Sequence, residues 1–144
     1  MSKQLFTASR VVPAAPEEIF ALLADPARHV EMDGSGTVQR LVAGRGPMQL
    51  GSKFTMAMKA FGVPYWITSR VVEYEENRRI AWCHRVENRW RYELEPTEGG
   101  TRVTESVDYR RIRFRRLTMW LISDELIEDS IATTLDKLVK RFAS

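Results

Sequence analysis

From Thr37 to Tyr109 the chain alternates between residues that prefer opposite environments, and the connectors joining most of these runs are too short to hold a helix. Trp90, Tyr92 and Leu94 interleave with Arg91, Glu93 and Glu95. Phe54, Met56 and Met58 interleave with Thr55, Ala57 and Lys59. Ile80, Trp82 and His84 share one parity, as do Val103, Glu105, Val107 and Tyr109. A period of two sends successive side chains to opposite faces of a strand. The spacing predicts strands over Thr37–Val42, Lys53–Lys59, Tyr65–Tyr74, Arg79–Val86, Arg89–Glu95 and Thr101–Tyr109. The connectors Phe61–Pro64, Glu75–Asn77, Glu87-Asn88 and Thr97–Gly100 have hairpin length and composition. Parallel neighbours need a crossover, so these strands form an antiparallel sheet. One of its faces is rich in aromatics and methionine, and the other is charged.

The flanking segments complete the frame. Leu5–Val12 is strand-prone and ends at Pro13. Pro16-Glu17-Glu18 opens a short helix, because proline suits the first turn and acids suit the positive end of the helix dipole. Asp25-Pro26 stops it, and a second helical turn over Ala27–Met32 leads into the turn cluster Asp33-Gly34-Ser35-Gly36. At the C-terminal end Leu117, Trp120, Leu121, Ile127, Ile131, Leu135, Leu138 and Phe142 recur at steps of three and four. That stripe predicts one long helix from about Arg116 to Phe142, with Lys137, Lys140 and Arg141 matching its negative end.

Residues 1–144 suit one domain without an internal linker or repeat. No apolar run approaches a membrane span, and Met1–Phe6 lacks the features of a signal peptide. Cys83 is the single cysteine and suits a reducing compartment, so a cytoplasmic location is expected without integral membrane association. Five lysines and 17 arginines against 19 acids leave a net charge of +3. Phe114 is the only aromatic residue among Arg110, Arg111, Arg113, Arg115 and Arg116, which argues against specific nucleic-acid recognition and fits a solvated linker. Gly44-x-Gly46 is followed by a strand where a dinucleotide fingerprint needs a helix. There is no phosphate-binding loop and no nucleophile elbow. Two histidines and one cysteine, far apart, have no metal-ligand spacing; no metal or cofactor is expected.

The order strand, two short helices, six strands, long helix resembles the SRPBCC superfamily, which includes START lipid-transfer domains, birch-pollen-allergen proteins and the polyketide cyclase/dehydrase group. Val12–His29 (VPAAPEEIFALLADPARH) resembles its first strand–helix junction, and Val71–Trp82 (VVEYEENRRIAW) its central hairpin. Trp90–Glu105 (WRYELEPTEGGTRVTE) resembles the last hairpin, and Thr133–Phe142 (TTLDKLVKRF) the final helix. The resemblance implies an α+β helix-grip fold, in which a curved seven-stranded antiparallel sheet wraps the C-terminal helix around a ligand cavity. On alternation alone the aromatic face suits a filled core as well as a pocket lining; the resemblance favours the pocket.

Candidate site residues follow from that face. Phe54, Met56, Met58, Trp82, Trp90, Tyr92, Tyr109 and Trp120 supply flat or adaptable apolar contact. His84 and Glu105 share that register and bring polar groups to it, while Asp124 falls near the apolar stripe of the last helix, either reaching a polar end of the pocket or capping that helical segment. His29 and Asp33 are spaced to share one face of a helical turn, either as a base and its orienting acid or as a surface histidine before an Asp-Gly turn. The leading expectation is a protein that binds a small hydrophobic molecule such as a lipid, polyketide or aromatic metabolite, as a monomer or homodimer. An alternative is a polyketide cyclase/dehydratase with His29, Asp33 and His84 as catalytic acid/base groups. A third is an interaction module resembling the activators of heat-shock ATPases. The loop Gly44–Gly51 either gates the pocket or is simply flexible.

Overall fold

In the computed structural model, residues 4–84, 88–111 and 123–143 are described. Seven strands form one sheet: β1 (Leu5–Val12), β2 (Val38–Ala43), β3 (Lys53–Ala60), β4 (Val63–Glu75), β5 (Arg79–Cys83), β6 (Arg89–Thr97) and β7 (Gly100–Asp108). Their order is β1-β7-β6-β5-β4-β3-β2, and every neighbouring pair is antiparallel. Strands β2 to β7 run as a meander. Strand β1 closes the far edge by pairing Phe6 with Val107 and Ala8 with Glu105.

Helices α1 (Pro16–Leu23) and α2 (His29–Met32) carry the chain from one edge of the sheet to the other. Helix α1 begins at Pro16, and the Glu18 carboxylate reaches back to accept from the Ala15 N–H. Between the two helices a 3-10 turn over Pro26–Arg28 is capped by Asp25, whose Oδ1 accepts from the Ala27 N–H. The final helix, α3, spans Asp124–Phe142. Ser123 caps it in extended conformation, with Oγ accepting from the Leu126 N–H at 3.1 Å. A cap at that point corrects the expected continuous helix from Arg116: the helix starts at Asp124, and Ile112–Ile122 lie outside the described residues. The strand expected to run to Val86 likewise ends at Cys83.

Helix α3 lies across the concave face. It buries Ile127, Ile131, Leu135 and Leu138 against Phe6, Val12, Val103 and Val107, in one core shared with Ile19, Leu22 and Leu23 of α1. The Asp33-Gly34 turn docks on the same helix. A Cβ on Gly34 would stand 2.3 Å from the Ser130 carbonyl oxygen, so only glycine fits there. Its N–H donates to Thr134 Oγ1, and Lys137 Nζ donates to the Asp33 carbonyl. The convex face is ionic: Glu73 holds Arg91 and Arg89, Arg79 meets Glu93, and Arg110 meets Asp108.

Candidate functional site

The concave face carries the aromatic register expected from alternation. Phe54 of β3, Trp82 of β5 and Tyr92 of β6 form a contiguous cluster: Phe54 meets Trp82 edge-on at 5.8 Å, and Trp82 lies tilted on Tyr92 at 5.5 Å. Met56 is buried beside them, while Met58 is half-buried opposite Tyr65. Tyr109, just beyond β7, meets Phe6 edge-on at 6.3 Å. Trp120 lies outside the described residues.

His29 is not a surface residue. It is buried, stacks on Trp82 at 4.7 Å and 22°, and stands edge-on to Phe54 at 5.3 Å. Its Nε2 lies 2.9 Å from the Leu23 carbonyl, which can only accept, so Nε2 carries the proton. Burial pushes the imidazole below its ordinary pKa, against smaller opposing effects from that hydrogen bond and from Asp25 and Asp33. The expected His29–Asp33 pairing does not form, because Asp33 serves its own loop. Its carboxylate accepts from the N–H groups of Ser35, Gly36 and Val38 and from Ser35 Oγ.

His84 follows β5 and shares a 2.6 Å hydrogen bond between Nδ1 and Ser69 Oγ. Burial lowers its pKa to about 4. Glu105 is fully buried at the centre of β7, opposite Tyr92 on one side and Ala8 on the other. Among the described residues neither carboxylate oxygen finds a hydrogen-bond partner within contact distance. Tyr92 faces it across the strand pair, and its phenol opposes the effect of burial without overcoming it. Desolvation therefore drives the Glu105 pKa well above the ordinary carboxylate range. Tyr92 moves up as well, through burial first and the facing Glu105 second, and burial raises Tyr109 to about 12. Every shifted group on this face is thus pushed toward its uncharged form by the same cause, desolvation.

Further polar atoms share that isolation. Trp90 Nε1, Asn88 Oδ1 and Asp124 Oδ1 are buried without a partner among the described residues. Residues 88, 90 and 92 are alternate positions of one strand approach, and Trp90 and Tyr92 face Val107 and Glu105. The sequence places Asn88 in a turn; extending the alternation of Trp90 and Tyr92 back two residues is the signal that brings it onto the same face. Ser69, the partner of His84, had no comparable signal, because its role depends on a contact between β4 and the residue after β5.

A cleft of about 240 Å3 opens between β1 and α3, lined by Leu5, Phe6, Thr7, Ala8, Glu128 and Ile131. It is smaller than the usual ligand pocket. Phe6 connects it to the aromatic face through Tyr109. Among the described residues no group of three or more His, Cys, Asp or Glu side chains comes together that could hold a metal ion, and no helix is long and apolar enough to cross a membrane.

The sequence pattern of the family described as polyketide cyclase/dehydrase and lipid transport matches residues 3–143. The chain belongs to that family. The uncharacterized protein Rv0088 of Mycobacterium tuberculosis is 41% identical over 142 residues, covering 92% of this chain and 61% of the relative. The chain therefore spans about three-fifths of the length of the curated relatives it matches. Among solved structures, protein CV1439 of Chromobacterium violaceum superposes with a TM-score of 0.77 at 18% identity, covering 99% of both chains. The polyketide-cyclase-like protein Cgl2372 of Corynebacterium glutamicum gives 0.62 at 25% identity, covering 99% of this chain and 91% of its own. The family membership and these neighbours agree with the helix-grip architecture of the SRPBCC superfamily.

Proposed function

We propose that the concave face binds a small, neutral, largely apolar molecule that carries hydroxyl or carbonyl groups. The observation that carries this reading is a set of buried polar atoms without hydrogen-bond partners among the described residues: both oxygens of Glu105, Trp90 Nε1 and Asn88 Oδ1 on or next to the aromatic strands, and Asp124 Oδ1 at the start of α3. Each such atom costs roughly 1–3 kcal/mol in a closed core, so a face meant only for packing is poorly served by keeping several. A ligand that accepts from the Trp90 indole and exchanges hydrogen bonds with Glu105 and Asp124 would recover that cost. Phe54, Met56, Met58, Trp82, Tyr92 and Tyr109 would bury its apolar part. The desolvated setting of Glu105 and Tyr92 disfavours a carboxylate or phosphate ligand beside them. Family membership supports ligand binding in general; the polarity of the ligand is argued from this face.

The test is mass spectrometry of untreated purified protein after denaturation, followed by titration with the released compound. A neutral oxygenated compound is expected, bound one per chain. Trp90→Phe removes the indole donor together with part of the ring area and should weaken binding at least roughly fivefold, a loss of about 1 kcal/mol for the hydrogen bond alone. Release of nothing, together with no binding of hydroxylated or keto aromatic compounds, would overturn the reading.

A second reading, cyclisation or dehydration of such a ligand, is favoured by one feature. Glu105 and Tyr92 place two uncharged O–H groups side by side, where they could donate to a substrate carbonyl. Turnover that survives Glu105→Leu and Tyr92→Phe would exclude that role.

A further inference from the structure

The turn between β3 and β4 is built at a conformational cost. Phe61 and Gly62 both have positive φ, 52° and 79°, in a two-residue hairpin closed by the pair Ala60 and Val63. Asn, Asp or Gly normally occupy the first of these positions, because a side chain such as phenylalanine is strained there. Nothing in the fold recovers that strain, since Phe61 is 91% exposed. Beside it Val63 is 61% exposed, Tyr65 41% and Trp66 68%. Strand β4 continues seven residues, Val63–Ser69, past its pair Arg70 with Cys83, or roughly 20 Å of chain. The aromatic tip therefore stands at the end of the sheet where His84, Asn88 and Tyr109 also lie.

The stretch of chain that holds this hairpin carries charge of one sign, with Asp33, just before it, acting on Tyr65 of the opposite face. Residues 34–72 contain Arg40, Arg45, Lys53, Lys59 and Arg70 and no acid. That segment carries +5 in a chain of net +3, leaving −2 on the rest. Among the described residues none of the five takes part in a salt bridge, whereas Arg10, Arg79, Arg89, Arg91, Arg110 and Arg141 each meet a carboxylate. By strand register Lys53, Lys59 and Arg70 share the face of Trp66, and Arg40 lies opposite Ala57, the partner of Trp66. Tryptophan among unpaired cations suits the boundary between lipid headgroups and acyl chains, where each nearby Lys or Arg gains about 1 kcal/mol on an anionic surface.

We infer that the β3–β4 hairpin is a docking element for an anionic lipid bilayer, with Phe61 and Trp66 entering the interface and the basic residues meeting headgroups. The excess of unpaired positive charge favours this surface over a second copy of the chain, which would bring the same charge against itself. Pro64 beside the tip also opposes edge-to-edge strand addition.

Co-sedimentation of the full chain with vesicles tests the inference. Vesicles of phosphatidylcholine mixed with phosphatidylglycerol should bind the protein at least roughly tenfold more tightly than phosphatidylcholine alone, and added salt should weaken the binding. Phe61→Asn suits the turn better than the native residue, so its thermal midpoint should stay level or rise while vesicle binding falls roughly tenfold. Trp66→Thr keeps a strand-forming residue and should lose binding similarly. No binding to the mixed vesicles would overturn the inference, as would unchanged binding by both variants. So would a solution dimer that Phe61→Asn dissociates, since a second copy would then be the occupant. A negative result here leaves the ligand reading of the concave face standing.

Discussion

The His29 imidazole lies 4.7 Å from the Trp82 indole, nearly parallel to it, while its Nε2 proton is given to the Leu23 carbonyl. One ring thus ties the end of α1 to the centre of the sheet, and its preferred tautomer is set by the backbone. Replacing it with alanine removes a stacked ring and leaves a buried carbonyl without its donor. His29→Ala should cost about 2–4 kcal/mol of stability, measured by urea unfolding. In the wild type, nitrogen NMR should show the Nε2–H form persisting below the pH at which an exposed histidine charges.

His84 gives a pH dependence of known sign. Its folded pKa of about 4 lies below the ordinary 6.5, so the unfolded chain binds the extra proton between those values. Its contribution to stability is complete above about pH 6.5 and is lost as pH falls through the folded pKa. The loss approaches roughly 3 kcal/mol at the acid end. Unfolding free energies measured from pH 7 to pH 4 should decline in the wild type, and the decline should be shallower in His84→Gln.

Glu105 acts in the opposite window. Its folded pKa is raised, so the folded chain holds a proton that the unfolded chain has released above the ordinary 4.5. Stability from this residue is complete below that point and falls as pH rises toward the folded pKa. Glu105→Gln mimics the protonated acid and should stabilise the protein by about 1–3 kcal/mol near pH 8. The gain should vanish toward pH 4. A Gln variant that is less stable at pH 8 would mean that the carboxylate is charged and held by a partner.

On the convex face Glu73 accepts from Arg91 at 2.6 Å and from Arg89 at 2.7 Å. The hydrogen bond from Arg91 holds its carboxyl below the ordinary range, with Arg89 adding to the effect and burial opposing it. Its stabilisation is present above the ordinary carboxylate pKa and lost as pH falls through the folded value. Glu73→Gln should cost about 1–2 kcal/mol at pH 7, because two half-buried guanidinium groups lose their shared anion. The gap between variant and wild type should close as the solution is acidified toward pH 3.

Much of the fold was legible in local pattern. The parity of Trp90, Tyr92 and Leu94, the hairpin-length connectors and the stripe from Ile127 to Leu138 are all short-range signals. They yield strand faces, antiparallel neighbours and a covering helix almost residue by residue. The start of that helix was not legible, since the apolar residues continue in the sequence upstream of Ser123, whose extended backbone caps the helix.

The site divides along the same line. Alternation by itself placed Phe54, Trp82, Tyr92, Glu105 and Tyr109 on one face, because strand geometry makes side-chain direction a local property. It could not settle what His29 and Asp33 do. Their spacing permits a pair, but α2 turns the ring inward onto Trp82 while Asp33 is consumed by Ser35, Gly36 and Val38. Nor could it show that Glu105 is left without a hydrogen-bond partner among the described residues, or that Phe61 stands in solvent at a strained turn. The sequence determined which residues share a face; only the tertiary structure decided which polar groups find partners there. Partnership depends on distances between segments that are remote in the chain, and burial, which sets the cost of a missing partner, exists only once those segments have packed.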